Sequence, residues 1–333
     1  MPQEQDVLAQ IRRFMTSRTL LTACELNLFT ALDREPTSAQ GLAEALDVDS
    51  RALTRVLDCL VTLDYLIKDA SGHYRPTAAG RFLSSEHEQT VLPMALHLAH
   101  TWNNWHHLTE TVRRGKNPNQ QHVTHLEPDQ QKDFIGAMHV VGRELSEDIA
   151  ALYDASFAHC LLDIGGGSGV YTMAFLRANP GLRAIIFDLD RVIPLTREFV
   201  ANQGFADRVD FVAGDFYQDP LPPGCDLALL SAIIHQNSRE ENRELFTKIY
   251  SALEPDGRVL IRDHIMDATR TKPGAGAMFA LNMLVNTRGG DTYTLEEVEN
   301  DLQQAGFSHI RDIRSGQDSF ERMDCLVEAR KKA

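Results

Sequence analysis

The sequence predicts an α/β chain in which a doubly wound, mostly parallel sheet closes with an antiparallel hairpin and follows a mainly α module of winged-helix pattern. Three observations predict it. From residue 159, short apolar β-type runs alternate with helical patterns, the signature of successive βαβ units. Over roughly the first 95 residues, helical segments are short and lead into a hairpin signal. At the end, two strand-like runs flank "SGQDS", with no helix-length segment between them.

Composition bounds the function classes. The 333 residues are 43% hydrophobic and 24% charged, which gives ample core material in an ordinary soluble composition. A formal net charge of −14 argues against nonspecific binding to nucleic acid or to anionic lipid, both of which need a basic surface. No uncharged apolar stretch approaches the ~20 residues that cross a bilayer, so no membrane partner is expected. The N-terminal "MPQEQDVLAQIRRFM" lacks a signal-peptide apolar region. The five cysteines, at 24, 59, 160, 225 and 325, form no C-x-x-C pair and read as reduced thiols of a cytoplasmic protein.

Residues 1–95 form the first predicted domain. "DVLAQIRRFMTSRTLLTACELNLFTAL" places apolar residues at helical spacing. Next come two helices, the first capped by Thr37 or Ser38 and the second by Asp49 or Ser50. "YLIKDASGHYRPT" then reads as a hairpin wing. A winged helix suggests DNA binding. Yet acidic residues outnumber basic ones over residues 1–100, the wrong balance for a module that neutralises phosphates. A packing or dimerisation module is the reading that balance favours.

Residues 96–155 read as a region of longer helices. Histidines are dense here, and the pairs His97/His100 and His122/His125 have a spacing that metal sites use. No carboxylate or cysteine motif accompanies them, so solvated or packed histidines are the plainer expectation.

Residues 156–333 form the predicted sheet domain. Its strands are near-continuous apolar runs, as strands covered on both faces must be. The first ends in "LLDIGGGSGVY", residues 161–171. Glycines there let the backbone turn sharply and let a ligand press against it. In open α/β sheets that ligand sits at the carboxyl ends of the strands. A dinucleotide fingerprint counted from Gly165 needs a glycine at 170, which is Val170. What is present is D-x-G-x-G-x-G: Asp163, Gly165, Gly167 and Gly169. Asp188 ends the second strand, where it can accept from ribose hydroxyls. Asp215 ends the third, and Phe216 beside it can pack on an adenine face. An acid at the first strand end suits a ligand with a positive centre and an amino group, and S-adenosylmethionine has both. These residues are also common as caps and turns, but that reading leaves three acids ending three successive strands unexplained.

"LLDIGGGSG", "FDL", "GDF" and "GRVLIRD", in that order, resemble the Rossmann-like class I S-adenosylmethionine-dependent methyltransferases. The whole chain, including "FIGAMHVVGRELSEDI" and "TRGGDTYTLEEVENDLQQAGF", resembles the plant-type and acetylserotonin-type small-molecule O-methyltransferases. That resemblance implies a winged-helix-like dimerisation domain, a homodimer with intertwined N-terminal domains that help close each other's pockets, and a small hydroxyl-bearing acceptor. S-adenosylhomocysteine would be the product.

The resemblance also implies a site. The family's base opens an "HDW"-type motif after the fourth strand, which maps onto His235. A near-neutral histidine held by a carboxylate suits proton removal from a phenol or enol. The motif's next two positions are Gln236 and Asn237, and the plant members' cofactor-contacting lysine is Ser231. Of the two acids that bracket the base, the first maps onto Asp263. The second falls on Thr292, with Asp291 one residue early and His264 a further candidate near the mouth. Met138, Asn282, Met283 and Asn286 are the implied acceptor-lining residues, and Asn282 and Asn286 lie one turn apart on one helix face. Met283 reads equally well as a packing residue. Five alternatives stay open: His235 as a positioning or purely structural residue, a metal held by His235, Asp263 and His264, a C- or N-methyltransferase that works by alignment, a relative doing other chemistry, and a ligand-sensing winged-helix regulator.

Overall fold

The computed structural model describes residues 4–117, 126–315 and 322–332; His122, His125 and most of "SGQDS" fall outside them. The chain divides into two compact units, Met1–Asn103 with Lys132–Val140, and Asn104–Gln131 with Val141–Ala333.

In the first unit, helices Glu4–Glu25, Leu28–Arg34, Ala39–Leu46 and Ser50–Thr62 precede the wing strands Leu66–Lys68 and His73–Pro76. Ser38 caps the third helix by accepting from Gly41 N, and Asp49 caps the fourth by accepting from Ala52 N. The sequence did not show that Thr37–Ser38 adds a third strand, antiparallel to His73–Pro76. Leu28, Phe29, Leu57, Leu60 and Tyr74 form the core. Asp58 accepts from Tyr74 Oη at 2.7 Å and from Lys68 Nζ at 2.8 Å, so an acid of the fourth helix ties down the wing. His97 packs on Phe134, and His100 Nε2 lies 3.0 Å from Asp133. On the first helix, Val7, Leu8, Ile11, Phe14 and Met15 are exposed, although their spacing reads as a buried face.

The second unit holds a seven-stranded sheet. Its strands, numbered along the chain, are β1 (Cys160–Ile164), β2 (Arg183–Asp188), β3 (Val209–Ala213), β4 (Cys225–Ser231), β5 (Leu253–Asp263), β6 (Ser308–Arg314) and β7 (Cys325–Arg330). The order is β6-β7-β5-β4-β1-β2-β3. β1 to β5 run parallel, β7 pairs antiparallel with β5, and β6 pairs antiparallel with β7. From β1 the chain winds outward first through β2 and β3, then back through β4 and β5, so the switch point lies between β1 and β4.

Residues alternate between two apolar layers. Leu162, Ile164, Ala228, Leu230, Val259 and Ile261 enter the layer that includes Phe246 and Ile249 of helix Arg239–Ala252. Leu161, Leu227, Leu229 and Leu260 enter the opposite layer with Leu145, Ile149 and Phe175. Burial on both faces explains the continuous apolar runs. The expectation of five reduced cysteines is corrected here. Cys160 and Cys225 open the neighbouring strands β1 and β4 and are joined as a disulfide, with Cα atoms 4.6 Å apart. They lie 65 positions apart in sequence, and the strand order brings them together.

Two features position the carboxyl edge. Ser238 and Thr294 each start a helix with a capping box, closed by Glu241 and Glu297. A short parallel pair, Ile265–Met266 with Tyr293–Thr294, fixes the segment after Gly289 and Gly290 beside the turn after β4. A Cβ on Gly290 would strike the His235 carbonyl oxygen and crowd Gln236 C. Backbone cannot yield there as a flexible side chain would, so Gly290→Ala is expected to cost about 1–3 kcal/mol of stability. Urea unfolding of the mutant checks it, and an unchanged midpoint would show that the two segments are not in contact.

Candidate active site

The loop between β1 and helix Val170–Ala178 begins the site. Gly165, Gly167 and Gly169 all have positive φ, at 68°, 57° and 73°, a conformation that excludes most side chains. Contacts add to this, since a Cβ on Gly165 would lie 2.7 Å from Ile233 Cδ1. Asp188, at the end of β2, accepts from Gly167 N at 2.8 Å and from Leu189 N at 2.7 Å. Asp163 lies beneath the loop, 1% exposed, and accepts from Thr172 Oγ1 at 2.6 Å. Burial pushes both carboxyls up to about 6, with Asp188 adding to the effect on Asp163.

The turn after β3 is built by Asp215. Its carboxylate accepts from Tyr217 N at 2.9 Å and from Gln218 Nε2 at 3.0 Å, an Asx-type turn. The Phe216 ring leans on Tyr217, with centroids 4.5 Å apart. Its edge also reaches the position a Cβ on Gly165 would face, at 3.6 Å.

After β4 the chain reverses sharply. Ala232 takes a left-handed φ of 59°, which costs a non-glycine residue roughly 1–3 kcal/mol, and a 3₁₀ turn, Ile234–Gln236, follows. This delivers His235, 9% exposed, against Asp263 at the end of β5. Nδ1 lies 2.9 Å from each oxygen of Asp263. Burial alone would raise the Asp263 carboxyl. The His235 charge and hydrogen bond, with Arg262 and His264, instead hold it below the usual carboxylate range. An ionised carboxylate only accepts, so Nδ1 carries the shared proton, and in the neutral form of the ring the lone pair is on Nε2. His264 N also donates to Asp263 at 2.8 Å. The Phe279 ring stands edge-on to the His235 imidazole, with centroids 4.8 Å apart, and is tilted against His264 at 5.3 Å.

A glycine loop at a sheet's switch point, acids at the next two strand ends and a carboxylate-held histidine after the fourth strand are the elements by which the chain can be compared. Residues 105–308 match the O-methyltransferase domain, and residues 8–86 the O-methyltransferase dimerisation domain. The chain belongs to the O-methyltransferase family. It is 33% identical over 313 residues to the tetracenomycin polyketide synthesis 8-O-methyl transferase TcmO of Streptomyces glaucescens, covering 92% of each chain. Human N-acetylserotonin methyltransferase in complex with SAM superposes with a TM-score of 0.84 at 25% identity, over 100% of this chain and 99% of that one. PigF with SAH gives 0.87 at 27% identity, over 99% and 100%. The protein is thus an S-adenosylmethionine-dependent O-methyltransferase. Its residues fit that cofactor: a bare left-handed loop, two partly exposed carboxylates with acceptor lone pairs at the ends of β2 and β3, and an aromatic ring beside them.

The departures from the family pattern acquire a structure. Ser231, in place of the family lysine, accepts from Arg262 Nε at 2.8 Å; Arg262 is 3% exposed, donates to Met323 O at 2.6 Å and lies over the Tyr171 ring at 4.6 Å. Sequence reasoning passed over Arg262, though a lone arginine inside the apolar run "GRVLIRDHI" marks it. Asn237, in the tryptophan's place, is fully buried within hydrogen bonds. Neither Asp291 nor Thr292 hydrogen-bonds to His235, and His264 bonds through its amide to Asp263 instead. Asp291 pairs with Arg270 at 3.2 Å, and buried Thr292 bonds to Gly276 O at 3.3 Å.

The acceptor-side residues divide. Asn286 Nδ2 donates to Asn282 Oδ1 at 2.9 Å, Asn104 Nδ2 donates to Asn286 Oδ1 at 2.7 Å, and Trp105 Nε1 donates to Asn282 Oδ1 at 3.0 Å. The shared face of the two amides therefore docks the end of helix Leu92–His106. Asn282 Nδ2 makes no hydrogen bond among the described residues. Met283 is 6% exposed and packs. Met138 is half-buried on helix Pro128–Leu152, in the stretch that belongs to the first unit. Among the described residues no group of three or more His, Cys, Asp or Glu could hold a metal ion.

The raised carboxyl of Asp163 makes stability depend on pH. An aspartate titrates near 3.9 when unfolded and near 6 here. Between about 4 and 6 the folded state retains a proton that the unfolded state has released, so this group's contribution falls as pH rises. Asp163→Asn keeps an acceptor for Thr172 and removes the titration. Its stability relative to wild type should therefore rise across that window by on the order of 2 kcal/mol. Denaturant unfolding at a series of pH values reads the difference, and a constant offset would show that Asp163 titrates normally.

Proposed function

We propose that this enzyme methylates a hydroxyl group of a small aromatic or heteroaromatic acceptor, with His235 as general base and Asp263 as its orienting partner. The observation that supports this most directly is the buried His235–Asp263 pair, Nδ1 to carboxylate at 2.9 Å, at the carboxyl edge of the sheet. S-adenosylmethionine, when bound, supplies a methyl group already activated by its sulfonium. The protein's task is then to align the attacking oxygen and take its proton. Asp263 fixes the tautomer, Nε2 receives the proton, and the adjacent carboxylate stabilises the imidazolium that forms. Phe279 walls one side of the imidazole.

For the cofactor, Asp188 is positioned to accept from ribose hydroxyls. Gly165, Gly167 and Gly169 bring bare backbone to its amino-acid end, with Asp163 beneath. Asp215 and Phe216 would meet the adenosine from the end of β3, and Ser231 with Arg262 would close the floor. On helix Gly274–Asn286, Asn282 Nδ2 is the polar group left to meet the acceptor, with Asn286 one turn along the same face. That the acceptor is small and aromatic is supported by relatives named for a tetracenomycin polyketide and for N-acetylserotonin.

His235→Ala should lower methyl transfer to a panel of phenolic acceptors by about 10²–10⁴-fold, followed with methyl-labelled S-adenosylmethionine. Asp263→Asn should cost at least about 10²-fold. Because Asp263 is held low, it stays ionised and able to accept from Nδ1 through the neutral range. A His235→Ala enzyme that keeps most of its rate would point to transfer by alignment alone, on carbon or nitrogen.

We also propose a homodimer through the N-terminal domain. The dimerisation-domain match and the exposed apolar face of the first helix, Ile11 at 61% and Phe14 at 56%, both support it, because a monomer seldom leaves such a row in water. Ile11→Asp with Phe14→Asp should convert a dimer to monomer in light scattering; an unaltered dimer would place the interface elsewhere.

A further inference from the structure

The turn that carries His235 is linked through buried polar groups to the loop after β3. Tyr217 Oη donates to Asn237 Oδ1 at 2.5 Å. Asn237, with no exposed surface, donates through Nδ2 to Asn242 Oδ1 at 3.0 Å. Asn242 Nδ2 in turn donates to the carbonyl of Ile234, the residue before His235, at 2.9 Å. Tyr293 Oη donates to the Asn237 carbonyl. His235 is therefore held on both sides by one network. At the other end, the Tyr217 ring packs tilted against Phe216, with centroids 4.5 Å apart, and its amide donates to Asp215.

We infer that Tyr217 is a positioning residue that couples occupancy of the Asp215–Phe216 loop to the orientation of His235. The inference rests on the placement of the cofactor proposed above. Breaking a buried amide's hydrogen bond leaves a desolvated group that costs about 1–3 kcal/mol. A displacement of Tyr217 is therefore followed by Asn237 rather than absorbed by a broken bond. Asn237 shares its remaining hydrogen bonds with Asn242 and Tyr293, and Asn242 holds the Ile234 carbonyl. A ligand that settles the Phe216 ring thus acts on the peptide that aims the imidazole. The same network accounts for Asn237: its side chain is the junction between the two loops, and an indole, with one N–H donor and no acceptor, could not make these bonds.

The test needs no acceptor. The His235 Cε1–H resonance, assigned by its loss in His235→Gln, is titrated against pH in wild type and Tyr217→Phe, each with and without S-adenosylhomocysteine; affinity is measured by calorimetry. S-adenosylhomocysteine should move the His235 midpoint in wild type. In Tyr217→Phe it should still bind, within about threefold of the wild-type affinity, while the shift falls below about half. Asn242→Ala breaks the same chain one link further on and should give the same loss. A brace without coupling would leave the shift equal in wild type and variants, and that result, or no shift in wild type, overturns the inference. Absence of saturable S-adenosylhomocysteine binding to wild type would instead reject the cofactor's placement, and the inference with it.

Discussion

Asp263 has no exposed surface, yet the His235 charge and hydrogen bond hold it ionised. Burying a carboxylate costs several kcal/mol unless an opposing charge and hydrogen bonds compensate, and the carboxyl edge of the sheet is arranged to supply both. β5 ends with Asp263 facing the adjacent strand's exit. The left-handed Ala232 and the 3₁₀ turn fold the chain back so that His235 Nδ1 reaches both oxygens. Gly290 leaves the His235 carbonyl room to sit there. None of these features is stable by itself: the strained turn persists because the ion pair and the packing over-determine it.

The three buried or half-buried acids of the edge divide by partner rather than by depth. Asp163 has a neutral hydroxyl and Asp188 has backbone amides, and burial wins at both, raising them to about 6. Asp263 is as deeply buried as Asp163 but faces an imidazole with Arg262 alongside, and its carboxyl is lowered. A cationic ligand over the glycine loop would stabilise the ionised forms of the first two, so binding there and deprotonation of Asp163 and Asp188 reinforce each other. Asp263, held low beside His235, needs no such help.

What could be read in the sequence was what repeats or is local. Alternating apolar runs gave the parallel sheet because β1 to β5 are covered on both faces, and the caps at Ser38 and Asp49 depend on residues three apart. The glycine loop was legible because a left-handed backbone restricts residue type at Gly165, Gly167 and Gly169. The position of His235 came from counting along a family motif, and its partner from counting along β5. Features that require two distant segments to meet were not legible. The Cys160–Cys225 disulfide follows from strand order, the Ser231–Arg262 bond from cross-strand register, and the Asn104–Asn286 contact from the docking of one helix on another. The exposed face of the first helix misled the periodicity argument, since spacing reports an apolar stripe and not what covers it.

The missing second acid has a physical consequence for His235. With Asp291 committed to Arg270 and Thr292 to Gly276, Asp263 is the carboxylate hydrogen-bonded to the imidazole among the described residues. Two flanking acids would hold both nitrogens; one acid on Nδ1 leaves Nε2 without a carboxylate and the ring dependent on packing for its tilt. Phe279 on its edge and the Asn237 network on its backbone supply that restraint without charge. Apolar and amide contacts fix the ring's direction while leaving Nε2 able to take a proton, which is the combination a base needs. With Gln236 and Asn237 after the histidine, the turn is oriented by hydrogen-bonded packing through Asn237 and Asn242, beside the single carboxylate of Asp263.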